Sequence, residues 1–140
     1  MKYVSPVVAG IAATFVAGLV LFPVMYLVFD TFFELYVFTK RPPGAWINDM
    51  IVMITGGLWF LTASMAGGFM CLQFIDEKED FAIFLLIVSS FIIGSVVSKG
   101  QLFALEAIPV IFIFIVGYIL GGWLGIRYKK KKSRQKKIRV

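Results

Sequence analysis

The twenty residues AIPVIFIFIVGYILGGWLGI (107–126) carry no charge, and the RYKKKKSRQKKIR (127–139) that follows holds nine Lys or Arg. A helix needs about 20 apolar residues to cross a hydrocarbon core of roughly 30 Å. The first stretch therefore predicts a membrane-spanning helix, and the second a cationic stop at the lipid headgroups. Gly117, Gly121 and Gly125 recur every four residues, two overlapping GxxxG spacings. Small residues at that spacing let two helix backbones approach closely in lipid.

Three more blocks of the 140-residue chain have the same character, and 60% of all residues are hydrophobic. A soluble domain is about half apolar, with its apolar residues dispersed. The expected fold is all-α: a polytopic integral membrane protein, an antiparallel bundle of four transmembrane helices. The spans are expected near 6–29, 47–74, 81–97 and 104–126. They form one transmembrane domain, 1–126, followed by a basic tail, 127–140. Little chain is left for anything outside the membrane.

The chain's punctuation supports these limits. Ser5 is an expected N-cap with Pro6 in the first helical position. Pro23 should kink span 1 by removing one backbone donor. Apolar residues continue past Asp30 to Phe38, so the last two turns of that helix are expected at the interface. Pro42-Pro43-Gly44 stops a helix, Trp46 suits an interfacial aromatic belt, and Asn48 is an expected N-cap for span 2. The second connection, Asp76 to Asp80, is short enough to force a hairpin.

Charge sets the expected orientation. The net charge is +6, but the tail takes nine of the fourteen basic residues and leaves five against eight acids. With four spans, Lys2, Lys78 and the tail fall on one side, and Lys40, Arg41 and Lys99 on the other. Positive residues favour the cytoplasm. The expectation is a multi-pass cell-membrane protein with both termini cytoplasmic.

Three groups of residues could carry function. Asp30, Glu34, Asp49 and Glu106 would lie at the outer membrane face, and form a candidate ion or proton site. All are near span ends, where charge costs little, so wet or paired interfacial carboxylates are the simpler reading. The second group is the helix-packing set: Gly56, Gly67, Gly94, Gly117, Gly121 and Gly125. Asp49, Gly56, Ala63 and Gly67 share a helical face, and so do Glu106 and Gly117. These glycines could join helices within the chain or dock it to another membrane protein or to itself. The third is the tail, where Arg127, Lys129, Lys130, Lys131 and Lys132 should bind anionic lipid headgroups.

Enzymatic chemistry is not expected. There is no His and only one Cys, so a nucleophile with an adjacent base, a disulfide and a Cys-based metal site all lack their parts. Cys71 reads as a buried small hydrophobe. No cofactor and no nucleic-acid partner is expected. The reading is a small non-enzymatic membrane protein acting through helix contacts, as an accessory or assembly subunit or a homo-oligomer. The alternatives are a small ion or solute transporter or channel built on the outer carboxylates, and a holin-like pore former.

Overall fold

A computed structural model describes residues 3–39, 45–75, 78–97 and 108–138. It is all-helical: α1 Val4–Thr39, α2 Ala45–Gln73, α3 Glu79–Val97 and α4 Ile108–Ile138. All four helices are long and apolar enough to cross a membrane. At about 1.5 Å per residue the 19 residues of α3 rise roughly 28 Å, close to one hydrocarbon thickness. The 36 residues of α1 and the 31 of α4 rise roughly 54 and 46 Å, well beyond it. As far as Ile138 the basic tract continues α4 as helix.

Helix starts differ from the sequence signals. The Val7 amide donates to the Tyr3 carbonyl at 3.2 Å, so α1 begins ahead of Ser5, and Ser5 is not its cap. Pro6 falls within the first turn, where its missing N–H has no helical partner to lose. Likewise α2 begins at Ala45, which puts Asn48 inside the first turn rather than before it. The expected start of span 4 at 104 lies outside the described residues. The helix runs unbroken through Pro23. That ring leaves the Leu19 carbonyl without its helical donor, and at the adjacent carbonyl, Gly18, the Trp59 indole N–H of α2 donates at 2.8 Å.

The centre of the fold is α2, which packs most closely on α4 and α1, whereas α3 is held more lightly. Along α1 and α2 the contacts run in opposite order: Gly10 lies against Gly67 and Cys71, Gly18 against Trp59 and Ala63. Along α2 and α4 they rise together, from Gly57 with Ile113 to Leu72 with Gly125. The α2–α4 seam is backbone against backbone. A Cβ on Gly121 would strike the main chain of Met65, its carbonyl carbon at 2.7 Å. One on Gly68 would strike that of Tyr118 and Gly122.

The core lies toward one end of the bundle. Val7, Cys71, Leu72, Ile75, Ala82, Leu86 and Tyr118 form one buried cluster. Tyr3 meets Phe81 edge to face with ring centroids 5.3 Å apart, and Phe69 meets Tyr128 at 5.7 Å. Lys78 adopts a left-handed backbone, φ 53°, between α2 and α3, and its carbonyl accepts from Ala82 in the first turn of α3. Outside the core, large apolar side chains stand exposed along the apolar stretches of all four helices. Phe15 is 70% exposed, Leu27 68% and Val97 77%. Helices without a polar face suit lipid rather than water.

The seam yields a contrast. Gly121→Ala must push α2 from α4, and we expect it to lower stability by about 1–3 kcal/mol. A Cβ on Gly56 would meet nothing within 4 Å. Gly56→Ala should therefore be neutral, or stabilising by up to about 1 kcal/mol through helix propensity. Unfolding by sodium dodecyl sulfate in mixed micelles would measure both, and equal midpoints would refute the seam.

Candidate functional site

The acidic group is only partly in view. Asp30 is exposed on α1. Glu34 lies one turn further along the same unbroken helix, so the two share a face. Asp49 occupies the second turn of α2. The side chains of Glu34 and Asp49, and all of Glu106, lie outside the described residues. Among the described residues no three His, Cys, Asp or Glu side chains cluster as metal ligands.

The glycines divide. Gly67, Gly117, Gly121 and Gly125 converge inside the chain: Gly67 on Gly10 and Tyr118, Gly117 on Leu61 and Ser64, Gly121 on Met65, Gly125 on Phe69 and Leu72. Gly56 faces open space. Gly94 of α3 lines a cavity between α3 and α4 instead of a helix surface.

In the basic tract, Arg127, Lys130, Lys131 and Lys132 are exposed. Arg127 stacks its guanidinium over Trp123, 3.7 Å from the ring centroid, a cation–π contact one turn along α4. Lys129 is half-buried, and its ammonium donates to the Ile75 carbonyl just beyond the end of α2. A helix C-terminus leaves carbonyls without donors and carries partial negative charge, so a lysine suits it. Lys129 thus engages α2 rather than pointing outward with its neighbours.

What sequence reasoning missed is a polar chain in the apolar interior. Tyr118, 2% exposed, places its hydroxyl 2.9 Å from Ser90 Oγ of α3 and 3.3 Å from Thr14 Oγ1 of α1. Thr14 donates to the Gly10 carbonyl at 2.9 Å. That carbonyl can only accept, and each hydroxyl has one proton. All three contacts are hydrogen bonds in one order only: Ser90 donates to Tyr118, Tyr118 to Thr14, and Thr14 to Gly10. Ser64, fully buried, donates to the Phe60 and Leu61 carbonyls of its own helix, at 2.7 and 3.0 Å. The available signal was Tyr118 itself, mid-span and far from the interfacial belts that tyrosine favours.

Chemically the arrangement joins three helices and offers no nucleophile with a base beside it. Cys71 is fully buried against Ala82. Comparison with family models, with curated proteins and with solved structures finds no match.

The hydroxyl chain is testable as a unit. Tyr118→Phe keeps the ring and removes the link, and should cost about 0.6–1.7 kcal/mol. A double-mutant cycle with Thr14→Val should show the two losses coupled. Strict additivity would mean that the hydroxyls do not interact.

Proposed function

We propose that this is a non-enzymatic multi-pass protein of the cell membrane that works through helix contacts, as an accessory subunit or a homo-oligomer. The carrying observation is the uneven use of its helix surfaces. The α2–α4 glycine seam is consumed within the chain, while α3 leaves Phe84, Ile92, Ile93, Val96 and Val97 exposed and packs least on its neighbours. In lipid, apolar side chains alone gain little from each other, and association depends on close packing and polar contacts. A 19-residue helix held lightly against its own bundle suits a second helix on its outer face.

The helices run in alternating senses in this reading, an antiparallel bundle through which α2 and α4 share a direction. Support comes from the order of contacts along α1–α2 and along α2–α4. Both termini then lie on the cytoplasmic side, with Lys78 and the basic end of α4. The contacts Tyr3–Phe81 and Lys129–Ile75 support this by joining the start of α1, the α2–α3 turn and the basic tract. The exposed cations Arg127, Lys130, Lys131 and Lys132 then meet anionic headgroups, each adding about 1 kcal/mol at low salt.

Single cysteines test both parts, because Cys71 is fully buried and should stay silent. Cysteines at Lys78 and Ser133 should react with an impermeant maleimide only after the cytoplasmic face is opened. Reaction of the two from opposite faces would dismantle the topology. Under oxidation in native membranes, cysteines at Phe84 or Ile93 should give an intermolecular crosslink and one at Val20 of α1 should not. A monomer with no crosslink from α3 would defeat the assembly reading.

A further inference from the structure

On the second half of α4 the residues that engage the bundle and those that do not lie on opposite faces. Gly121 and Gly125 meet α2, Gly122 meets Ile83 of α3, and Lys129 reaches Ile75 beyond the end of α2. Trp123, Arg127, Lys130 and Lys131 follow one another at i, i+4, i+7 and i+8, on the side turned away from both neighbours. All four are exposed, Trp123 to 47%. Leu120 and Leu124, each 40% exposed, stand beside Trp123.

The order along this face is apolar side chains and an aromatic ring, then a guanidinium, then two ammoniums. A phospholipid runs the same way from its tail outward: acyl chain, interface, phosphate, headgroup. Arg127 is the fixed point. Its guanidinium lies over Trp123, 3.7 Å from the ring centroid, and the stack holds the plane of a side chain that otherwise rotates freely. A planar fork suits two oxygens of one phosphate. Lys130 and Lys131 stand roughly 4.5–6 Å further out along the axis. A choline or ethanolamine headgroup would bring its own cation there, and like charges repel. A phosphodiester with a neutral headgroup offers three cations one negative charge. A phosphomonoester carries about −1.5 to −2 at pH 7 on three acceptor oxygens, which answers all three.

We propose that this face of α4 selects a phospholipid whose headgroup is a phosphomonoester. Arg127, Lys130 and Lys131 hold the phosphate, and an acyl chain lies against Leu120 and Leu124. The site rests on the membrane reading above, and it narrows the basic tract to one face and one headgroup chemistry.

The test uses the full chain in phosphatidylcholine liposomes with trace spin-labelled phosphatidic acid, phosphatidylglycerol, cardiolipin or phosphatidylcholine. Electron spin resonance gives the motionally restricted fraction of each. No restricted lipid of any kind would overturn the membrane reading, and this proposal with it. Restricted lipid with phosphatidic acid no better than the others would overturn the proposal and leave that reading standing. Phosphatidic acid should rank above phosphatidylglycerol and also above cardiolipin, whose two charges sit on two phosphodiesters. Arg127→Lys keeps the charge but gives up the fork and the stack, and should lower the preference for phosphatidic acid over phosphatidylglycerol about threefold. Lys130→Gln with Lys131→Gln should lower it about three- to tenfold. Lys132→Gln, off this face, should weaken both lipids together and keep their ratio. A ratio that falls as far for Lys132→Gln as for the pair, or that survives Arg127→Lys, means a diffuse cationic field and overturns the site. At constant ionic strength, millimolar inorganic phosphate should not displace the lipid; displacement would make this a site for free phosphate and overturn the role of the tail.

Discussion

Everything in this bundle turns on one missing side chain, at Gly67. A Cβ there would meet Thr14 Oγ1, the Gly10 carbonyl at 2.8 Å and the Tyr118 ring at 2.9 Å. Three helices therefore converge on a notch in α2, α1 from one side and α4 from the other. The notch does more than allow close approach. It opens the gap across which the hydroxyls of Thr14 and Tyr118 meet at 3.3 Å. In water such a centre would be supported by the hydrophobic effect. In the membrane setting we propose, that force is nearly absent between helices, and van der Waals fit and interhelical hydrogen bonds take its place.

Polar satisfaction follows the same logic. Donors and acceptors in hydrocarbon have no solvent to fall back on. Trp59 reaches the Gly18 carbonyl, one residue from the acceptor freed by Pro23. The approach is possible because Gly18 has no side chain; a Cβ there would already stand 3.6 Å from the indole. Thr31, Thr62, Ser64 and Ser95 return their protons to carbonyls three or four residues back on their own helices. Thr14 does so too, but it also accepts from Tyr118, and this double role joins α1 to the other helices.

The all-helical class and the four long apolar helices could be read from hydropathy alone, since any segment of such length and composition has few other fates. Helix starts were less legible. Ser5 and Asn48 look like caps, but a capping side chain is only one way to satisfy the first turn, and apolar residues upstream extended both helices. The glycine spacing identified Gly117, Gly121 and Gly125 as a close-packing face and could not say against what. That depends on register with Met65, Gly68 and Leu72, which no local pattern encodes. Gly56, on the face shared with Ala63 and Gly67, faces open space, because a helix can present small residues where no neighbour comes near. Tyr118 and Ser90 are 28 residues apart and Thr14 is 104 from Tyr118, so their meeting was beyond any window of periodicity.

The two halves of the molecule differ in how firmly they are held, and α3 shows it best. Its first turns are pinned: Ala82 and Leu86 are fully buried, and Phe81 meets Tyr3 edge to face. At that same end Lys129 of α4 holds the carbonyl beyond α2, and Phe69 meets Tyr128. From Ile87 onward α3 borders a cavity rather than a helix, and Val96 and Val97 are about three-quarters exposed. Ser90 stands near the boundary, bonded across to Tyr118 of α4. A helix pinned at one end and bordering a void at the other has its freedom concentrated in the far half. The hydroxyl chain therefore ties α3 to α4, and through Tyr118 to α1, where the pinned half of α3 gives way to the half that borders the cavity.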